Sequence, residues 1–161
     1  MGILTPSGDR GPGAETITDL AGAVTRAAGE VRGRLVTCVG TDLVDIDDVR
    51  RILVRQPRFA HRYFTAAERG YCLRTGDPAE RFAARLAAKE AVLKALGVGL
   101  SGAAFTEIEV VRLAGGQPRL ALTGRAVALA DAAGVRSWLV TLTHSRHVAH
   151  AFVAGLSDAS A

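Results

Sequence analysis

Lysine is almost missing from this chain of 161 residues: of its twenty basic residues only Lys89 and Lys94 are lysines, and eighteen are arginines. Aromatic residues make up only 5%, too few for the stacking platforms on which single-stranded nucleic acids lie. Cysteine is scarce too. Cys38 and Cys72 are far apart, form no CxxC or zinc-ligand spacing, and read as reduced thiols without chemistry. No apolar run approaches the roughly 18 residues of a membrane span. The N-terminus has neither the basic start nor the apolar stretch of a secretory signal. These absences predict a cytoplasmic protein with no membrane partner.

What is present suits one compact domain with a modest tail, since 48% apolar residues suffice for a core. The charge is unevenly placed. Between Arg50 and Lys94 eleven Lys/Arg stand against four acids, a surplus of +7. Such a surface draws an anionic partner, although charge alone leaves nucleic acid, an acidic protein and a phosphorylated small molecule open. The bias to Arg and Ala fits a GC-rich genome, and both lysines fall on one predicted helix. An ammonium and a guanidinium are not interchangeable where a phosphate oxygen is met as a point charge. Chance placement of two residues is the plain alternative.

Residues 1–14 carry Gly, Pro and Ser breakers and read as a flexible tail. Ile17, Leu20, Val24 and Val31 have near-helical spacing, so a short helix is expected within 15–31. Residues 1–34 are thus an N-terminal extension, 35–156 the domain proper and 157–161 a C-terminal tail. In the domain, LVTCVG is a short apolar strand ended by Gly40. Asp45 to Val54 is helical, stopped by Pro57. Thr65 and Glu68 form a capping-box pattern. Residues 79–96 are the strongest helix, ended by Gly97 and Gly99. FTEIEVVRL alternates and turns at Gly115-Gly116 into PRLAL. A helix near 124–133 is followed by the strands SWLVTLTH and VAHAFVAGL. Helices grouped early and strands late predict an α+β fold.

On helix 79–96, Phe82, Leu86, Leu93 and Leu96 share one stripe. Lys89 projects into that stripe, so it must snorkel or meet an anion. Glu90 and Lys94 sit together at its edge. Seen alone, they are an ordinary surface pair. Asp42, in VGTDLVD, reads as a turn aspartate or as a carboxylate projecting from a strand end, and Asp45 is the better helix cap. Two carboxylates from distant segments suit Mg²⁺, which takes one or two protein carboxylates and completes its shell with water and phosphate oxygens. With a lysine one turn from a ligand, the pattern suggests metal-assisted phosphoryl transfer. His144 and Ser145 lack an acidic third member, so they form no hydrolase triad. His144, His147 and His150 lack a zinc register. His144, at a strand end, reads as a phosphate or substrate contact, and the other two as surface residues.

GTDLVDIDDVRR, RFAHRYFTAAE, RFAARLAAKEAVLKALGVG, TEIEVVRLAGGQPRLAL and VTLTHSRHVAHAFV resemble, in order and spacing, the holo-acyl-carrier-protein synthases over about residues 35–156. The helix AAKEAVLKALGVG with an upstream GTD is the specific part. The resemblance implies the phosphopantetheinyl transferase fold, an antiparallel sheet packed against a long central helix. It implies transfer of the 4′-phosphopantetheine arm of coenzyme A to a serine of an apo acyl carrier protein, releasing adenosine 3′,5′-bisphosphate. It also implies Asp42 and Glu90 as Mg²⁺ ligands, Glu90 as candidate base, and Lys94 on the phosphates. Arg85, Lys89 and His144 then line the coenzyme A site. Arg55, Arg58, Phe59 and Arg62 dock the acidic carrier, and three chains form a homotrimer with shared sites. Asp48 stands where the family is usually basic. With the N-terminal extension, it points to a dedicated fatty-acid or polyketide synthase carrier.

Overall fold

A computed structural model describes residues 34–158; the flexible tail and short helix expected before residue 34 lie outside the described residues. The chain runs β1 (Arg34–Asp45), α1 (Ile46–Arg55), α2 (Phe59–Tyr63), α3 (Ala66–Cys72) and α4 (Ala79–Ala95). A 3₁₀ turn (Phe105–Glu107), β2 (Ile108–Arg112), β3 (Pro118–Leu122), α5 (Gly124–Ala132), β4 (Ser137–His144) and β5 (Val148–Asp158) follow. The α+β expectation holds: after β1 the helices come first, and most of the strands close the domain.

Local chemistry accounts for the joints. Asp45 caps α1, its carboxylate accepting from the Asp48 amide at 2.9 Å. The Thr65–Glu68 capping box is present at the start of α3, with Thr65 N donating to Glu68 Oε2 at 2.9 Å and Glu68 N to Thr65 Oγ1 at 3.2 Å. Gly97, at φ 67°, supplies the left-handed residue that ends α4.

β1, β5 and β4 form one sheet in that order, and β2 pairs with β3 in a second. β4 and β5 are antiparallel, Thr141 opposite Phe152 and Thr143 opposite His150. Helix α4 is the centre: twelve of its seventeen residues are buried, six of them alanine. Alanine lets neighbouring backbones come close, and α4 packs chiefly on β5.

Two boundaries differ from the sequence reading: β5 runs on to Asp158, into the tail expected from residue 157, and the other matters for the site. Gly40 does not end β1; the strand continues to Asp45. Gly40 is where β1 passes over α4, and a Cβ built there would stand 2.0 Å from the Ala91 carbonyl oxygen. Because side chains alternate along a strand, Asp42 points to the same α4-facing side as Gly40, and both are buried. The other side of the sheet is open and mixed, with Val39 (56% exposed), Leu43 (67%), Leu139 (41%) and Phe152 (42%) beside Thr41, Thr141, Thr143 and His150.

Candidate active site

The close passage at Gly40 brings Asp42 beside the α4 turn that carries Glu90 and Lys94. Lys94 Nζ donates to Asp42 Oδ1 at 2.5 Å. Asp42 is 9% exposed, whereas the Lys94 side chain is 56% exposed. The ammonium therefore reaches from solvent onto a sheltered carboxylate. Asp42 holds the Lys94 pKa above its ordinary value, which keeps the ammonium charged at any physiological pH. Glu90 is half-buried. Burial pushes its carboxyl above the usual range, the charge and hydrogen bonding of Asp42 push it further, and Lys94 pulls it back.

Two carboxylates this close resist ionising together, and a divalent cation between them removes the conflict. Among the described residues no group of three or more His, Cys, Asp or Glu gathers at one point. The donor set is therefore two carboxylates from two elements. That fits Mg²⁺ shared with a phosphate substrate, and does not fit an all-protein cage.

Lys89 is placed differently from the sequence expectation. It does not line a coenzyme A site, because its side chain is 0% exposed. Its three protons go to Glu68 Oε2 at 2.7 Å, Phe105 O at 2.8 Å and Ile108 O at 2.7 Å. A lysine has three donors and no more, so none is left for a phosphate. The sequence did flag Lys89 as unable to meet water simply; the anion it meets is Glu68. Burial lowers the Lys89 pKa against the pull of Glu68.

Arg85 is also buried, at 6% exposure, and is not drawn into the Asp42 cluster. Its guanidinium lies over the Tyr71 ring at 4.1 Å, with Arg81 at 4.7 Å and Arg112 at 5.6 Å from the same ring. Arg85 Nη1 donates to Arg81 O at 3.3 Å, and its Nε has no acceptor among the described residues. Sequence reasoning missed this ring, because Tyr71 and Arg112 are far apart along the chain. His144, at the end of β4, meets Glu80 at 3.1 Å, both side chains about half exposed.

Of the expected docking residues, Arg55, Arg58 and Arg62 are exposed. Phe59 is corrected: it is 8% exposed and packs in an aromatic cluster with Tyr63 at 4.9 Å and Phe64 at 6.0 Å. It anchors α2 to the core and is not free to grip a partner. The exposed apolar side chain on this basic stretch is Val54, at 79%. Asp48 pairs with Arg51, so its charge is answered within α1. Cys72 is buried and its thiol is pushed up to about 11, which leaves it protonated and inert.

With this geometry in place, the family model described as the 4′-phosphopantetheinyl transferase superfamily matches residues 38–153. The holo-[acyl-carrier-protein] synthase of Moorella thermoacetica is 43% identical over 118 residues, 73% of this chain and 89% of that protein. The crystal structure of holo-[acyl-carrier-protein] synthase from Neisseria meningitidis has a TM-score of 0.69 at 28% identity, covering 75% of this chain and 98% of its own. The Bacillus anthracis holo-(acyl-carrier-protein) synthase, solved in complex with CoA (3′,5′-ADP), has a TM-score of 0.63 at 26% identity. That match covers 76% of this chain and 98% of the Bacillus one.

Proposed function

The chain belongs to the 4′-phosphopantetheinyl transferase superfamily, and from that premise we propose how it moves the 4′-phosphopantetheine arm of coenzyme A onto a serine of an apo acyl carrier protein. The observation that carries the proposal is the meeting of Asp42 from β1 with Glu90 and Lys94 from α4. Asp42 and Glu90 would hold Mg²⁺, which when bound neutralises charge that develops on the pyrophosphate as its P–O bond breaks. Lys94, held protonated, donates to the phosphate oxygens. Glu90, directly or through a water, takes the proton of the carrier serine. The serine oxygen then bonds to the phosphorus bearing pantetheine, and adenosine 3′,5′-bisphosphate leaves. Positioning and charge stabilisation do most of the work in such transfers.

Incubation with coenzyme A, Mg²⁺ and apo carriers of the fatty-acid and polyketide type adds the phosphopantetheine mass to at least one carrier. A folded enzyme that modifies none of the panel overturns the proposal.

The raised Glu90 pKa gives the metal-free enzyme a pH signature. Its carboxyl titrates above the ordinary Glu value of about 4.3, as an apparent value that belongs to the Asp42–Glu90 pair. Lys94 holds Glu90 down, so Lys94→Met moves this titration to higher pH, and added Mg²⁺ moves it to lower pH as the ion displaces the proton. Carboxylate NMR titration with and without Mg²⁺ tests both; a titration at the ordinary carboxylate value, unmoved by the variant and by the ion, removes the paired site.

For the partner surface, Arg55, Arg58 and Arg62 face an acidic carrier, with Val54 rather than Phe59 as the apolar contact. Arg58→Glu raises the carrier KM on the order of 10-fold and leaves coenzyme A binding unchanged; an unchanged KM removes the docking surface. The exposed side chains Val39, Leu43, Leu139 and Phe152 offer apolar area that a contact between copies of the chain would cover, and they support a homotrimer. Light scattering that returned a single 16.8 kDa chain at micromolar concentration would dismiss that assembly. The two unpaired thiols suit the reducing cytoplasm, and among the described residues no helix is long and apolar enough to cross a membrane.

A further inference from the structure

A fully buried ion pair stands directly behind the transfer site, and the chemistry above does not use it. Glu68 and Lys89 are both 0% exposed and 2.7 Å apart. Every polar atom of the pair is occupied. Lys89 donates to Glu68, Phe105 O and Ile108 O. Glu68 Oε1 accepts from Val110 N at 3.0 Å, and Oε2 accepts from Thr65 N at 2.9 Å as well as from Lys89. Lys89 Nζ also lies 5.3 Å from the centre of the Phe64 ring. The pair thus ties α4 to α3, to the 3₁₀ turn and to β2.

The place of these bonds on α4 gives them meaning. The helix is buried largely through alanines: Ala83, Ala84, Ala87, Ala88 and Ala91 are all inside. Methyl groups are short and alike, and they constrain the roll and slide of a helix weakly. Directional bonds to three separate elements fix both. Lys89 is adjacent to Glu90, so roll at Lys89 is roll at Glu90. On the far side Gly40 rests on the Ala91 carbonyl, so a small turn of α4 changes how Glu90 and Lys94 meet Asp42.

We propose that the buried Glu68–Lys89 pair is a positioning device for the transfer site, setting the roll of α4 so that Glu90 and Lys94 converge on Asp42. This rests on the reading of those three residues as the site. The pair touches neither substrate nor metal and acts only through the helix. A buried ion pair is weak evidence for stability, since well-shaped neutral groups often replace one without loss, and fixing a unique arrangement is its better-attested use.

The test is the double variant Glu68→Gln/Lys89→Met, which removes both charges, keeps similar shapes and leaves the Gln oxygen to accept from one of the two backbone amides that Glu68 serves. Four readings are taken: thermal unfolding, Mn²⁺ affinity of the enzyme without substrate, kcat and carrier KM, and amide exchange in the Glu90–Leu96 turn. The expected result is cooperative unfolding, Mn²⁺ affinity and kcat each lower by about 10-fold, a carrier KM near that of the wild type, and faster exchange in that turn. A folded double variant with wild-type Mn²⁺ affinity, kcat and exchange overturns the proposal. Should the double variant not fold, Lys89→Arg, which keeps the charge but not the shape, carries the same readings with smaller losses expected, and their absence overturns it equally. Failure of the underlying reading looks different: the wild type itself would neither bind Mn²⁺ nor modify a carrier. Amide exchange would then still decide whether the pair sets α4.

Discussion

Asp42→Ala and Glu90→Ala each lower the transfer rate on the order of 1,000-fold, while both proteins unfold cooperatively near the wild-type temperature. The two halves of this result have separate causes. On the proposed reading the rate falls because each carboxylate is one of the two donors that meet at the β1–α4 passage. Losing one leaves phosphate charge without its counter-ion and, for Glu90, the serine without its base. Stability holds for a different reason at each position. Asp42→Ala strands the Lys94 ammonium, but that side chain is 56% exposed and is rehydrated, as exposed ion pairs contribute little. Glu90 is an acid whose folded-state pKa is raised. It binds its proton more tightly in the folded state, so its ionisation disfavours the fold progressively as pH climbs from the unfolded value through the raised one. At neutral pH the alanine variant is spared that repulsion, and its melting temperature is equal to or above that of the wild type. Transfer assayed by carrier mass, beside thermal unfolding, checks both halves. Near-normal turnover in both variants would remove the metal site, and collapse of both folds would make these residues structural.

Two of the three proposed site residues stood out in the sequence because each breaks a local rule: Asp42 is a strand aspartate without a capping role, and Lys94 is one of two lysines in an arginine-rich chain; Glu90, half of an ordinary helical pair, carried no such mark. The helix boundaries followed from short-range chemistry as well, since a cap and its amide lie three residues apart, as at Asp45 and Thr65. What sequence could not supply was anything that depends on who sits across a contact. Lys89 carries the same visible signal as Lys94, a rare lysine on the same helix. Only the fold reveals that Glu68, twenty-one positions earlier, has come to meet it. Glu68 itself was read as a capping residue, which it is, while its buried second role left no local trace. Phe59 looked like an anchor because an aromatic amid arginines does; its burial depends on Tyr63 and Phe64 turning towards it.

Gly40 is the sharpest such case, and Gly40→Ala is accordingly the substitution with the largest expected effect on the fold, with function affected through it. Read locally, a glycine after LVTCV ends a strand. In the fold it is mid-strand, and an added Cβ would meet Ala91 O at 2.0 Å and Ala95 N at 2.9 Å. Both are backbone atoms of a buried helix, so no side-chain rotation relieves the clash; β1 and α4 must separate. Overpacking of this kind destabilises by about 3 kcal/mol or more, lowering the melting temperature on the order of 10 °C for a domain of this size. The separation opens where Asp42 meets Glu90 and Lys94, so Mn²⁺ affinity and kcat fall even at temperatures where the variant is fully folded. Gly70→Ala is the matched control. That glycine lies within α3 with nothing within 4 Å of the added atom, so alanine there stabilises by about 0.5–1 kcal/mol and leaves transfer unchanged. A Gly40→Ala protein with wild-type melting temperature and rate would mean that β1 does not pass over α4 so closely, and the convergence of Asp42 with Glu90 would lose its structural cause.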